Sequence, residues 1–351
     1  MDINPELWRD MRVLVTGHTG FKGSWLVFWL KELGAEVIGI SLPAPENRPS
    51  LYIDAKIENL VSTEYFLDIR DESEVAKAIQ ESRPTYVFHL AAQALVHRSL
   101  RHPSESITTN IVGTTNVLLS SLAQDSIKGT TIATTDKVYQ NLGGHKPFQE
   151  TDRLGSKDPY SASKAAAELM VASLASTCNP RNIPVTTVRA GNVIGGGDWG
   201  EDRLVTDLVT ALGNNETLVI RNPTATRPWQ HVLDCLKGYL LIGQCHLEGK
   251  RDVPNSINFG PSESLEVRKL ISLFEATFGK KLEIEVKESN FNEAERLELD
   301  SRLAYDYLNW SNTLSPEDAV TQTANWYSNF FKGSSARELM ISELSSFKDL
   351  N

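Results

Sequence analysis

Arg12-Val-Leu-Val-Thr16-Gly17-His-Thr-Gly20-Phe-Lys-Gly23-Ser-Trp-Leu-Val-Phe-Trp-Leu30 is the stretch from which the fold can be read. A short β-rich run, Val13 to Val15, turns directly into an apolar helical run that continues to about Leu33. Three glycines lie between and just inside them. Gly17 suits a tight turn, Gly20 lets backbone come close to an anion, and Gly23 lets the helix pack on the strand, while the helix N-terminus offers free N–H groups. Such a loop suits the pyrophosphate of a dinucleotide, with Phe21 and Lys22 carried in it. The spacing is GxxGxxG rather than GxGxxG, and glycine triplets also occur where only tight packing is needed. Its place between a first strand and a first helix favours the cofactor reading.

Outward from this stretch, β-rich runs alternate with helical patterns: Glu36-Val-Ile-Gly-Ile40, Tyr86-Val-Phe-His-Leu90, Thr131-Ile-Ala-Thr134 and Pro184-Val-Thr-Thr-Val-Arg189. The alternation predicts right-handed βαβ units, hence an α/β chain with a Rossmann-like, doubly wound parallel sheet. Beyond Ala190 the rhythm is lost. Gly195-Gly-Gly197, helical stretches near Leu204 to Leu212 and Trp229 to His246, and isolated strand candidates at Ile257-Asn-Phe259 and Leu282-Glu-Ile-Glu285 predict a smaller α/β lobe interleaved with the first. On this reading residues 1–190, with about 228–257, form the cofactor domain, and 191–227 with 258–351 form the substrate domain. Ser334 to Asn351 reads as a polar helical tail.

The chain has 351 residues, 40% hydrophobic and 23% charged, enough to bury a sizeable core and unlike a disordered protein. A formal net charge of -10 argues against general affinity for nucleic acid or anionic membrane. Any anionic substrate then needs a few placed basic groups. Cys178, Cys235 and Cys245 show no CxxC spacing, so neither a disulfide framework nor a metal site is expected, and a reducing cytoplasm fits. Met1 to Asp10 is polar and acidic, and no apolar run approaches a membrane span, so a soluble, cytoplasmic protein is expected.

The second strand ends Gly39-Ile-Ser41-Leu-Pro43, with no acid to take the adenosine ribose hydroxyls. Ser41 is left as a weak substitute, no Arg follows to favour NADP, and the expectation is NAD, loosely held. Asp68-Ile69 is placed to reach the adenine, and Leu90-Ala91-Ala92 puts small residues where a flat cofactor passes; both also read as ordinary strand ends. Further on, Tyr160-Ser-Ala-Ser-Lys164 opens an Ala-rich helix, and the one-turn spacing puts phenol and ammonium on one face. A lysine there lowers the tyrosine pKa, favouring a phenolate that takes a proton from a substrate hydroxyl as hydride leaves the same carbon. Such pairs also arise by chance on helix surfaces. The glycine loop and the preceding Thr134-Thr135 strand end favour a site.

With these elements in this order, together with Thr109-Asn110-Ile-Val-Gly113-Thr, the chain from about Arg12 to about Trp326 resembles the extended short-chain dehydrogenase/reductases. The resemblance implies that Thr135 completes a triad with Tyr160 and Lys164. In sugar dehydratases of that family an acid/base pair follows the threonine, whereas 4-epimerases carry small or neutral residues there. Thr135-Asp136-Lys137-Val-Tyr139 therefore resembles the dehydratases, with Asp136 as the mark of elimination; the plainer reading of Asp136 is a solvated carboxylate at a strand end. Thymidine-linked enzymes carry Asp-Glu. Lys137 departs from that and resembles the CDP-glucose 4,6-dehydratases, as do Gly20-Phe-Lys-Gly23-Ser-Trp25, Arg189-Ala-Gly-Asn192-Val-Ile-Gly-Gly-Gly197-Asp-Trp199 and Arg227-Pro-Trp-Gln-His231-Val. Asn192 and Arg227 suit a sugar diphosphate, and Trp229 offers a face to a base or sugar, although alone it reads as core; His231 belongs to the same substrate segment.

The chemistry implied is oxidation at C4 by Tyr160 and NAD, with Thr135 on the oxygen and Lys164 on the nicotinamide ribose. Removal of the acidified C5 proton follows, with Asp136 protonating the departing 6-hydroxyl and hydride returning to C6. Lys137 is either the C5 base or a group that orients Asp136 or the cofactor. The rivals are a nucleotide-sugar 4-epimerase, a dehydratase for another nucleotide and, from another class, a non-catalytic dinucleotide-binding regulator. The last commonly lacks the Tyr or Lys kept here. The resemblance further implies a homodimer with a four-helix interface from the helices near Ser104 to Leu122 and Tyr160 to Ala175.

Overall fold

The computed structural model describes residues 2–144, 146–250, 252–287 and 297–350. Its centre is a seven-stranded sheet of β1 (Arg12–Thr16), β2 (Glu36–Ser41), β3 (Val61–Phe66), β4 (Tyr86–His89), β5 (Gly129–Ala133), β6 (Val185–Ala190) and β7 (Ser256–Phe259). All neighbours are parallel, in the order β7-β6-β5-β4-β1-β2-β3. This is the doubly wound sheet expected. Strand order reverses between β1 and β4, so a crevice opens at their carboxyl ends, where such sheets bind ligands.

Alternation along β1 shows how both faces are covered. Val13 and Val15 pack in one buried cluster with Trp25, Phe28 and Phe88, and Leu14 packs in another with Ile38, Val87 and Leu118. A strand buried on both sides must read as an unbroken apolar run, as this one does. The first cluster takes in the helix Phe21–Glu32, buried from Gly23 through Leu30, and the helix Val232–Leu247. A helix apolar on every side has to be central.

Several elements differ from expectation. Ile257-Asn-Phe259 is no isolated strand but the edge of the main sheet, paired with β6. Ile284–Val286 instead joins Leu218–Ile220 in a separate two-stranded ladder. Trp229 precedes its helix: Gln230–His231 pairs with Val193–Ile194, and the helix begins at Val232. The tail forms the helix Ala336–Asp349 and is firmly packed, burying Ala336, Met340, Leu344 and Phe347, with Phe347 edge-on to Trp29 at 5.9 Å; Asn351 lies outside the described residues. Spacings of three and four place those side chains on one stripe. Among the described residues no helix is long and apolar enough to cross a membrane.

Candidate active site

The ends of β1 and β4 are clamped by Thr16, whose Oγ1 accepts the N–H groups of Leu90 and Ala91, each at 3.1 Å. His89 bridges Thr16 (2.7 Å) and Thr114 (2.9 Å); burial, assisted by the charge of Lys164, holds its pKa down at about 3, so it serves as a neutral spacer. Glycine is required at two places in the following turn. Gly17 has φ +76°, and a Cβ there would lie 2.8 Å from the Ala91 nitrogen; one on Gly23 would lie 2.1 Å from the Gly17 carbonyl oxygen. Gly20 caps the helix Phe21–Glu32 without a side-chain bond, leaving first-turn N–H groups for an anion. The close backbone turn, open helix end and half-buried Leu90, Ala91 and Ala92 fit a dinucleotide.

At the end of β2, the Ser41 hydroxyl meets Thr19 Oγ1 at 2.7 Å. A carboxylate comes instead from β3: Glu64 contacts His18 Nε2 at 2.9 Å and accepts the Tyr52 hydroxyl at 2.7 Å, the His18 ring lying over the bare Gly39. Nothing local in the sequence marks this trio, because Glu64 reaches His18 only through the pairing of β2 with β3. Asp68 is engaged by the Arg70 guanidinium, which holds its carboxyl below the usual range. Ile69 is buried against Gly113, and its carbonyl accepts from Asn116 Nδ2 at 3.0 Å. Phe21 lies against Gly195, and Lys22 Nζ is 3.4 Å from the Tyr239 hydroxyl.

After β5 the chain makes one tight turn, Asp136–Val138. Thr135 Oγ1 donates to Asp136 Oδ1 at 2.9 Å and accepts from the Lys137 backbone N–H at 3.3 Å. Tyr160 and Lys164 arrive from the helix Pro159–Thr177, started by Pro159 and capped by Asp158, whose carboxylate accepts from Ser161 N at 2.9 Å. Burial pushes the Tyr160 phenol up to about 12; the Thr135 hydroxyl and the Arg203 charge act against this, and Asp136 adds to it. Lys164 donates to the Ala133 carbonyl at 3.1 Å, and burial, with Lys22 next, lowers its pKa to about 7 against the pull of Glu168. Thr135, Asp136, Tyr160 and Lys164 are thus brought together and buried, while the side chain of Lys137 is exposed. Asp136 Oδ2 is buried and, among the described residues, has no hydrogen-bond partner.

Behind these groups runs a polar network the sequence reading missed. Glu168, one turn beyond Lys164, accepts from Thr134 Oγ1 (2.6 Å) and from Arg189 Nε (2.9 and 3.0 Å) and pairs with the far guanidinium nitrogen. Arg189 also donates to the Tyr139 hydroxyl (2.7 Å), which donates to Asn258 Oδ1 (2.7 Å). The helix Pro159–Thr177 is so tied to the ends of β5 and β6 and to β7. Arg203, also unmarked in sequence, pairs with Asp198 and directs positive charge at Tyr160.

The substrate candidates divide. Asn192 (φ +51°) and Arg227 are half-buried; the Asn192 carbonyl accepts from Gln230 N at 3.1 Å, and Arg227 donates to the Thr226 carbonyl at 2.9 Å. Trp229 is 7% exposed and belongs to the core. His231, expected at the substrate, is fully buried: its Nδ1 accepts from Leu233 N at 3.3 Å, and its Nε2 lies 3.0 Å from Glu343 Oε1 on the C-terminal helix.

Residues 13–260 match the profile of the NAD dependent epimerase/dehydratase family. The chain belongs to that family. Its cofactor is accordingly NAD. Among curated members, the CDP-glucose 4,6-dehydratase of Salmonella typhimurium is 38% identical over 344 residues, covering 94% of each chain. The same fold occurs in the UDP-glucose 4-epimerase of Thermotoga maritima, solved with UDP-glucose (TM-score 0.79, 25% identity, 91% of this chain and 99% of that one). It occurs also in the dTDP-glucose 4,6-dehydratase of Streptomyces venezuelae, solved with NAD (TM-score 0.78, 24% identity, 91% and 97%).

Proposed function

We propose that this family member is a CDP-glucose 4,6-dehydratase, converting CDP-glucose to CDP-4-keto-6-deoxyglucose with loss of water. One observation carries the reading: a buried carboxylate, Asp136, beside Thr135 and Tyr160, with Oδ2 left for a ligand. A 4-epimerase has no leaving group to protonate and no use for an acid there. The near full-length likeness to the Salmonella enzyme supports the nucleotide.

When bound, NAD would supply a reversible hydride acceptor for oxidation at C4 and reduction at C6, with no net consumption of cofactor. Gly17, Gly20 and Gly23 would shape its phosphate turn, with Lys164 on the nicotinamide ribose. Tyr160 takes the 4-hydroxyl proton while Thr135 holds that oxygen. The ketone acidifies the C5 proton, and Asp136 delivers a proton to the departing 6-hydroxyl. Lys137, exposed beside Asp136, is the candidate C5 base or orienting group. Asn192 and Arg227 are assigned to the diphosphate, and Trp229 with His231 to the wall behind it. Residues 1–190 with about 228–257 would then carry the cofactor, and the remainder the substrate.

A homodimer in the cytoplasm completes the proposal. Exposed Ile107 and Val112 lie on the segment between Pro103 and Leu122, and exposed Leu169 and Met170 on the helix Pro159–Thr177, apolar surface suited to a second copy. The three cysteines are free, as in a reducing compartment.

The deciding experiment incubates the protein and NAD with CDP-glucose and, in parallel, dTDP-glucose, UDP-glucose and GDP-mannose, following the mass of each. Loss of one water from the CDP sugar alone is expected. Loss from another nucleotide overturns the substrate, and unchanged mass throughout overturns dehydration.

A further inference from the structure

Gly191 is the first residue after β6, and Asp136 stands just beyond the end of β5. These strands are neighbours, so the two residues meet at adjoining carboxyl ends. A Cβ built on Gly191 would stand 1.9 Å from Asp136 Oδ2, 2.0 Å from Cγ and 2.5 Å from Oδ1, and these are its three nearest heavy atoms. No real Cβ comes so close to another group. The backbone does not explain the glycine: Gly191 is absent from the positive-φ positions, whereas its neighbour Asn192 is among them. Asp136 Oδ1 is held by the Thr135 hydroxyl at 2.9 Å, and Oδ2 is buried and, among the described residues, has no partner.

We propose that Gly191 is the positioning residue that sets the reaction outcome. By having no side chain it houses the Asp136 carboxyl with Oδ2 turned to the 6-hydroxyl of the sugar, and a side chain there displaces the acid. The inference rests on the assignment of Asp136 as the proton donor. In the step concerned the C5–H bond breaks, its proton passes to a base, and its electron pair forms the C5=C6 double bond. The C6–O bond breaks as the Asp136 proton joins the leaving hydroxyl, and water departs. Tyr160 and Thr135 act earlier, at the C4 oxygen, so displacing Asp136 stops elimination and affects oxidation far less, through its bond to Thr135 alone.

The test uses Gly191→Ala, Asp136→Asn and the double variant, with two activity readouts. Water loss from CDP-glucose is followed by mass; oxidation at C4 is followed by reduced-nicotinamide absorbance with CDP-6-deoxyglucose, which has no 6-hydroxyl to lose. Gly191→Ala should slow dehydration by roughly a hundredfold or more, the scale of a lost general acid. It should retain C4 oxidation, and the double variant should be no slower than Asp136→Asn. Melting temperatures read the packing without turnover: Gly191→Ala should lower the melting point of the wild-type protein and lower it much less in an Asp136→Ala background, where the carboxylate is gone. Wild-type dehydration by Gly191→Ala, with Asp136→Asn inactive, overturns this inference alone. Undiminished dehydration by Asp136→Asn overturns the acid assignment itself. An equal melting loss in both backgrounds overturns the steric pairing, including when Gly191→Ala is too unstable to assay.

Discussion

Truncating Glu168 to alanine strips both oxygens from a guanidinium that stays buried. In the native chain the carboxylate pairs with Arg189 at 3% and 4% side-chain exposure and takes the Thr134 hydroxyl at 2.6 Å. Without it, among the described residues, Arg189 keeps the Tyr139 hydroxyl and ring and the Glu150 carbonyl. Removing one partner of a buried ion pair costs about 3–5 kcal/mol, because an uncompensated charge remains in a poor solvent. An unfolding entropy of about 2 cal/mol/K per residue makes the total near 0.7 kcal/mol/K for a chain of this length, so the melting point should fall by about 5 °C. Replacing both residues with methionine should recover much of that loss, since no orphan charge is left. The assay is a thermal melt of wild type, Glu168→Ala and the double methionine variant in one buffer. A Glu168→Ala protein melting within about 1 °C of wild type would refute the account of a buried pair holding the helix Pro159–Thr177 to β5 and β6.

Burial lowers Lys164 from 10.5 to about 7, so between those values the unfolded chain binds the proton that the folded chain has released, and this group makes stability rise with pH. In cofactor-free protein the contribution should grow by about 2 kcal/mol from pH 7 to pH 9, and Lys164→Met should melt with a flatter pH dependence than wild type; parallel curves would reject the shift. Lys137→Met should retain C4 oxidation and slow the entry of solvent deuterium at C5, and unchanged deuterium entry would remove Lys137 from the base's role. Leu169→Glu, at a 62% exposed apolar position, should shift the protein from dimer to monomer in light scattering; an unaltered mass would place the interface elsewhere.

The first strand, its glycine turn and the helix after it were legible because their determinants are local. Val13 to Val15, Gly17, Gly20, Gly23 and the apolar run from Trp25 to Leu30 are consecutive, and period-two and helical patterning need no partner to be recognised. The one-turn spacing of Tyr160 and Lys164 has the same character, and the resemblance placed Thr135 and Asp136 beside them. What only the tertiary structure decided involves residues distant in sequence. The order β7-β6-β5-β4 brings Gly191 under Asp136 and closes Arg189, Glu168 and Tyr139 into one network. Packing of the last helix buries His231 and sets it against Glu343. Burial likewise governs charge: desolvation raises the Tyr160 phenol against the pull of the Arg203 charge, and desolvation, with Lys22 next, depresses Lys164. Patterning along a chain records which face of each element is apolar. Which buried polar groups then meet depends on the strand order and on the water excluded between them, and neither is written in any single segment.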